Sequence, residues 1–204
     1  MTATSRPRTL PASFYARATL EVAHDLIGKV LVHETPAGRA AGVIVETEAY
    51  IGEDDPACHA APGRTPRNAP LYGPPGHAYV YFNYGVHWLV NAVTEPEGVP
   101  AAVLIRALAP LEGLPLMRER RTARRRAGAT IPDAALCRGP GNLTVALAIT
   151  GVQNRLLLDG PLRIEDRGPR GLHVAWGPRI GIRVGLDRPW RAYVPGHPAV
   201  SVSR

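Results

Sequence analysis

The fold is decided by two stretches, GVIVETEAY at residues 42–50 and AYVYFNYGVHWLVN at residues 78–91. Both are rich in β-branched and aromatic residues, which favour strands. The second stretch carries Asn83-Tyr84-Gly85 near its middle, so it predicts a hairpin that bends at or beside this tripeptide. We therefore expect a sheet built on these segments.

The flanking sequence adds further strands and a few helices. Apolar spacing and end signals predict a helix over Thr19–Ile27, with Thr19 as its cap and Gly28 at its end. Strands are predicted over Lys29–His33 and Ala101–Leu108, with a turn at Pro36-Ala37-Gly38, and short strands follow from Gly160. Two more helices are predicted, from Leu111 to about Arg126 and over Leu143–Ile149. This order predicts a single mixed α+β domain with helices segregated beside the sheet.

Length and composition limit the classes of protein. A chain of 204 residues suits one domain, which we place at residues 11–204 behind a flexible N-terminal tail at residues 1–10. No apolar run is long enough to span a membrane. The first residues lack the apolar core of a signal peptide, so we expect a cytoplasmic protein, associated with the nucleoid if the chain is bacterial.

Charge points to an anionic partner. Lys and Arg number 24 against 17 Asp and Glu, a formal net charge of +7, and nucleic acid is the leading partner for such a domain. Arg64 and Arg67 precede the charge-free run at residues 68–94 and are predicted to contact the DNA backbone. Six arginines fall within Arg118–Arg126, which predicts either a helix that faces phosphates or a solvated face.

Cofactor and metal signals are weak. Cys58 and Cys137 are predicted to be free thiols, and no Cys or His pairing has the spacing of a zinc site. The segment at residues 139–142 lacks the Lys and Ser/Thr of a phosphate-binding loop, and we predict a turn there with Asn142 near a helix cap. We expect neither a metal nor a cofactor.

The strongest chemical signal is the alternation of Glu46, Glu48 and Tyr50. Residues two apart in a strand point to the same face, so the two carboxylates and the phenol should line one surface. Mutual repulsion can raise the pKa of one carboxylate into the range of a general acid or base. A solvated strand face is the alternative. The aromatic run from Tyr72 to Trp88 likewise predicts either core packing or an outward ring that stacks on bases.

Taken in order, these segments resemble the alkyladenine (3-methyladenine) DNA glycosylase family over nearly the whole chain. The motifs that carry the resemblance are VETEAY (45–50), His59, GRTPRN (63–68), YVYFNYG (79–85), Asn91, LIRALAPLEG (104–113) and LCRGPGNL (136–143). The resemblance implies a curved antiparallel sheet with flanking helices, in a monomer that needs no cofactor. It also implies a monofunctional enzyme that flips an alkylated or deaminated purine out of duplex DNA and hydrolyses its N-glycosidic bond.

The resemblance assigns roles residue by residue. Glu48 matches the catalytic glutamate that activates the attacking water, and Arg106 matches the arginine that helps to hold that water. Tyr84 matches the tyrosine that fills the space left by the flipped nucleotide. The base pocket is matched by Tyr50, His59, Tyr81 and Asn91. The implied substrates are 3-methyladenine, 7-methylguanine, hypoxanthine and ethenoadenine in double-stranded DNA.

Three rival functions are less well supported by the sequence. A non-catalytic damaged-DNA-binding module of the same fold would retain Tyr84 while losing Glu48 or Arg106, and both are present. A carbohydrate-cleaving enzyme would need two carboxylates that flank a sugar, whereas Glu46 and Glu48 point the same way. An RNA-binding role would predict tight RNA binding without a preference for lesions. Lys29 is the single lysine, which agrees with water as the nucleophile.

Overall fold

A computed structural model describes residues 8–123, 128 and 130–201. Within these residues the helices are α1 (Ala12–Tyr15), α2 (Thr19–Asp25), α3 (Leu114–Thr122) and α4 (Pro140–Leu147). The strands are β1 (Val30–Thr35), β2 (Gly38–Ile51), β3 (Ala78–Asn83), β4 (His87–Val93), β5 (Ala101–Glu112), β6 (Leu162–Glu165), β7 (Ala175–Gly177) and β8 (Arg191–Tyr193). Short 3-10 helices cover Ala69–Tyr72, Asp133–Ala135 and Gly151–Gln153.

The strands form one curled antiparallel sheet in the order β3-β4-β5-β2-β1-β6. Strand β2 is the longest, and its register against β5 shifts beside Gly42 and again between Ile44 and Thr47. Such bulges bend a strand and increase its twist, which gives the sheet its curvature. Beyond the part of β2 that pairs with β1, strand β8 pairs with Glu46, Thr47 and Glu48 of β2. The prediction of a mixed α+β domain with a curved antiparallel sheet is confirmed.

The two faces of the sheet are covered by different parts of the chain. Helices α2, α3 and α4 pack on one face, where the main core includes Ile44, Ile105 and Leu147. On β2, Ala49 joins this core, whereas Glu48 and Tyr50 point to the other side, as the strand period requires. A smaller cluster that includes Cys58, Leu71 and Tyr79 covers the other face. This second face therefore holds the candidate site.

The helix predicted from Leu111 begins later than the sequence indicates. Strand β5 continues pairing with β2 as far as Glu112, and α3 begins only at Leu114. Between them Gly113 has a φ of 74°, and a Cβ there would lie 2.3 Å from the carbonyl oxygen of Arg39. Only glycine fits this reversal, which fixes the boundary. The predicted end near Arg126 lies outside the described residues.

Two predicted helix caps are wrong. Helix α2 begins after Ala18, and its first turn is capped from a distance, since Thr19 donates both its N–H and its hydroxyl to the carboxylate of Glu95 at 2.7 and 2.8 Å. Helix α4 begins at Pro140 after Gly139, three residues before the predicted start. Asn142 lies within its first turn and donates to the carbonyl of Arg138.

The ends of the chain complete the outline. Residues 1–7 of the predicted tail lie outside the described residues, and Leu10 donates its N–H to the carbonyl of Ile164 in β6. At the other end, Ser201 donates its N–H to Glu46 at 2.9 Å. No helix in the described ranges is long and apolar enough to cross a membrane.

Candidate active site

An exposed tyrosine stands at the tip of the β3–β4 hairpin. The carbonyl of Asn83 accepts the N–H of Val86 at 3.0 Å, and the residues between them, Tyr84 and Gly85, have φ values of 48° and 68°. Positive φ at both central positions is typical of a type I′ turn, where Asn-Gly is usual and a tyrosine is not. The bend predicted at Asn83-Tyr84-Gly85 is therefore confirmed. Tyr84 is 88% exposed, so its ring points outward.

Below the hairpin lies a cavity of about 500 Å³ whose walls include several aromatic side chains. The ring of His59 meets that of Tyr81 edge-on at 4.4 Å, and the Tyr79 hydroxyl lies 2.8 Å from His59 Nδ1. Burial lowers the pKa of His59, which favours its neutral form. The cavity is also lined by Tyr50, Cys58, Tyr84, Leu89, Asn91, Arg106, Pro140 and the 180–184 loop.

The floor and rear wall come from neighbouring strands. Asn91 pairs with Tyr79 across β3 and β4, and its side-chain amide donates to the Tyr79 carbonyl at 2.9 Å. Cys58 and Cys137 are both buried and unbridged, as predicted, and burial raises the pKa of Cys58 to about 11. Cys58 is therefore a packed thiol in the wall at neutral pH.

Glu48 is fully buried directly behind the cavity wall. Its Oε2 accepts from the Tyr50 hydroxyl at 2.8 Å, and its Oε1 accepts from the N–H of Ile180 at 2.6 Å. The guanidinium of Arg106 lies 3.3 Å from Oε1. Burial raises the pKa of Glu48, against the opposing influence of Arg106 and the two hydrogen bonds. The three groups that contact this carboxylate all line the cavity.

Glu46 shares the same face but has a different environment. Its Oε1 accepts from Arg191 at 2.9 Å and its Oε2 from the N–H of Ser201, while Arg106 Nε lies 3.4 Å away. Two carboxylates thus face two guanidinium groups in a charge-balanced buried cluster. The prediction that Glu46, Glu48 and Tyr50 share a face holds, and the alternative of a solvated face is wrong, because both carboxylates are fully buried.

The sequence did not single out the segment PRIGIRVGL at residues 178–186, which closes the cavity. Its Ile180 donates to Glu48, and its carbonyl accepts from Arg106 at 3.3 Å. The preceding Arg179 is buried and paired with Asp55, 124 residues earlier in the chain. A Pro and Gly pattern suggested short strands and turns here, but nothing local indicates a contact with β2.

The basic residues are distributed unevenly. Arg64 and Arg67 are exposed near the cavity, with Arg64 stacked over the Tyr72 ring at 5.3 Å, and no ion pair involves either of them within the described ranges. Of the arginine run, Arg118 pairs with Asp133, Arg120 bonds to the carbonyl of Ala146, and Arg121 is buried. The Arg118 side chain remains 43% exposed beside Asp133, whereas Arg121 is buried, so this part of the run has a solvent-facing side and a packed side. Arg124–Arg126 lie outside the described residues.

Within the part of the chain that the structure describes, no group of three or more His, Cys, Asp or Glu side chains could hold a metal ion. The ionisable groups at the cavity include Arg106, Arg183, Cys58, His59 and the tyrosines, with Glu48 directly behind its wall. This arrangement places a buried carboxylate beside a guanidinium, behind a cavity of about 500 Å³ that has aromatic side chains in its walls.

Comparison with known proteins defines the class as a DNA glycosylase. The chain belongs to the methylpurine-DNA glycosylase family, whose model matches residues 13–198. A protein of Burkholderia cenocepacia (strain HI2424), named "Putative 3-methyladenine DNA glycosylase", is 49% identical over 98% of this chain and 95% of its own length. Proteins with the same name from Methanocella arvoryzae and Chlorobaculum parvum are 49% and 44% identical over 94% and 97% of this chain. The resemblance read from the motifs is confirmed.

Proposed function

We propose that this glycosylase removes 3-methyladenine and related purine lesions from double-stranded DNA, with Glu48 as the general base for water. The observation that carries the proposal is the position of Glu48, which is buried against Arg106, Tyr50 and Ile180 at the wall of an aromatic cavity. A carboxylate there can take the proton of an attacking water. When ionised, it can also stabilise the positive charge that develops on the sugar as the bond breaks.

The base reaches this cavity by leaving the duplex. Extrusion of a stacked base costs roughly a few kcal/mol, and a side chain that fills the vacated space offsets part of that cost. Tyr84 is suited to this role because its ring is exposed at the hairpin tip and also lines the cavity mouth. The residue is 88% exposed in the protein alone, so the ring already points outward before DNA arrives.

Selection of damaged bases follows from the chemistry of the walls. Alkylation at N3 or N7 makes a purine cationic, and the electron-rich faces of Tyr50, His59 and Tyr81 favour a cationic ring. Asn91, whose side-chain amide donates to the Tyr79 carbonyl, is proposed to reject normal guanine at the floor of the cavity. The proposed substrates are 3-methyladenine, 7-methylguanine, hypoxanthine and ethenoadenine.

Binding to undamaged DNA is proposed to come from phosphate contacts. Arg64 and Arg67 are exposed beside the cavity, whereas several arginines of the opposite sheet edge are already paired with Glu34, Glu112 and Glu165. Exposed guanidinium groups on the cavity side give a sequence-independent affinity that salt weakens. We propose that one copy of the chain acts alone.

The test is single-turnover release of 7-methylguanine and of hypoxanthine from duplex DNA by the wild type and by Glu48→Gln. Loss of a general base lowers a rate by about 100- to 10,000-fold, so excision by the variant should all but vanish while damaged-DNA binding persists. The matched control is Glu165→Gln, which also replaces a buried carboxylate paired with arginines, but on β6. It should excise at the wild-type rate.

Either of two results would contradict the proposal. Excision by Glu48→Gln at the wild-type rate would remove Glu48 from the reaction. Binding of damaged DNA by the wild type without release of any base would favour the alternative of a non-catalytic binding module. The ratio of the two release rates in the wild type measures the breadth of lesions that the pocket accepts.

A further inference from the structure

Behind the candidate site lies a second buried ion pair, between Asp55 and Arg179. The two side chains meet in a two-pronged arrangement, with Arg179 Nη1 2.6 Å from Oδ2 of Asp55 and Nη2 2.8 Å from Oδ1. Neither side chain is exposed at all. A buried pair of this geometry is costly to desolvate and gains stability only where every partner is in place.

Arg179 contacts both elements that hold Glu48. Its Nη1 donates to the carbonyl of Ala49, the residue between Glu48 and Tyr50 on β2, at 3.0 Å. Its guanidinium also lies over the Tyr50 ring at 4.7 Å. The next residue along the chain is Ile180, whose N–H and carbonyl contact Glu48 and Arg106. Movement of Arg179 would therefore move the Ile180 peptide.

Asp55 connects the ion pair to the 55–59 loop, which forms another part of the cavity wall. Its carboxylate accepts from the N–H groups of Ile51 and Ala57 at 3.4 and 3.2 Å. Ala57 lines the cavity and is followed by Cys58 and His59, which line it too. The pair thus joins β2, the 55–59 loop and the 178–185 loop at one point, although neither member lines the cavity.

We propose that Asp55 and Arg179 are positioning residues that hold the Ile180 peptide against Glu48 and Arg106, so that the carboxylate and the guanidinium keep their reactive orientation. This inference rests on the proposed role of Glu48. A displacement of about 1 Å at a reacting group can cost about 100-fold in rate, so a small shift of this peptide would be visible in catalysis.

The pH profile separates positioning from simple electrostatics. The charged or titratable groups that face Glu48 are Glu46, Tyr50, Tyr81, Arg106 and Arg179. Neutralising Asp55 leaves Arg179 with an uncompensated positive charge, which by itself would lower the pKa of Glu48. Loss of the Ile180 hydrogen bond would instead raise that pKa, because the bond favours the ionised carboxylate.

The experiment measures single-turnover excision of 7-methylguanine against pH for the wild type, Asp55→Asn and Arg179→Lys. For both variants we expect a rate about 10- to 100-fold below wild type, an acidic limb moved to higher pH, and an unchanged Kd for damaged DNA. Lysine keeps the charge but cannot make the two-pronged bond, so Arg179→Lys tests geometry alone. Should Asp55→Asn fail to fold, Arg179→Lys carries the test.

The control and the contrary outcomes are distinct. Glu165→Gln breaks a buried ion pair far from the cavity and should lower the melting temperature without moving the rate or the limb. Variants that are folded and excise at the wild-type rate would overturn the positioning role, as would an acidic limb moved to lower pH. Failure of the wild type to excise any base would overturn the proposed function instead.

Discussion

Replacing Tyr84 with glycine should change stability and activity in opposite directions. The φ of 48° places a tyrosine in the left-handed region, which costs an L-residue about 1–2 kcal/mol. Glycine removes that cost but adds freedom to the unfolded chain worth about 0.5–1 kcal/mol. The residue is 88% exposed, so truncation removes little buried surface. The net expectation is a gain of about 0.5–1 kcal/mol, or a rise of about 1–4 °C in melting temperature.

The same substitution should impair catalysis. An aromatic ring that stacks on bases contributes about 1–3 kcal/mol, so loss of the Tyr84 ring should reduce excision by about 5- to 150-fold. The assay pairs thermal unfolding with single-turnover release of hypoxanthine. Tyr84→Ala is the matched control, because alanine removes the ring and keeps the backbone strain. It should lose the same activity and gain no stability.

The reasoning fails under two results. If Tyr84→Gly excises bases as fast as the wild type, the ring does not assist flipping. If glycine lowers the melting temperature while alanine does not, the left-handed conformation stores no strain at the hairpin tip. The turn would then be an ordinary one that accepts a tyrosine at positive φ without cost.

Two more predictions concern the buried charges. Excision should fall on acidification with a midpoint above the ordinary pKa of glutamate, because burial raises the pKa of Glu48 and only the ionised carboxylate can accept a proton; a profile that stays flat from neutral to acidic pH would contradict this. Arg191→Met should lower the free energy of unfolding by about 3–5 kcal/mol, since it leaves the Glu46 carboxylate buried without its closest cation. Urea unfolding measures that loss, and an unchanged midpoint would show that Arg106 and Ser201 suffice.

Local sequence patterns predicted much of the architecture. The alternation in β2, the hairpin at residues 78–91 and its bend at Tyr84 follow from strand periodicity and turn chemistry, which act over a few residues. Element ends were less accurate, because tertiary contacts set them. Glu95 caps α2 from 76 residues away, and the approach of Arg39 to Gly113 fixes where β5 gives way to α3.

The candidate site was likewise predicted only in part from the sequence. Motif resemblance selected Glu48, Tyr50, His59, Tyr81, Asn91 and Arg106, and the structure brings their side chains together around one cavity. The resemblance could not show that Glu48 lies behind the cavity wall, or that Arg191 and Ser201 hydrogen-bond to Glu46. These partners lie 145 and 155 residues from Glu46, far beyond any local spacing rule.

By itself, the sequence determined strands of the sheet, the bend of the hairpin at Tyr84 and the types of side chain that carry the proposed chemistry, because residue type and short-range periodicity specify these. Only the tertiary structure decided the electrostatics of Glu48 and the bracing of its surroundings. Those depend on burial and on contacts that the folded chain alone makes, such as Asp55 with Arg179 across 124 residues. The pKa of a carboxylate depends on the groups that surround it in the folded protein, and its neighbours in the sequence do not specify those groups.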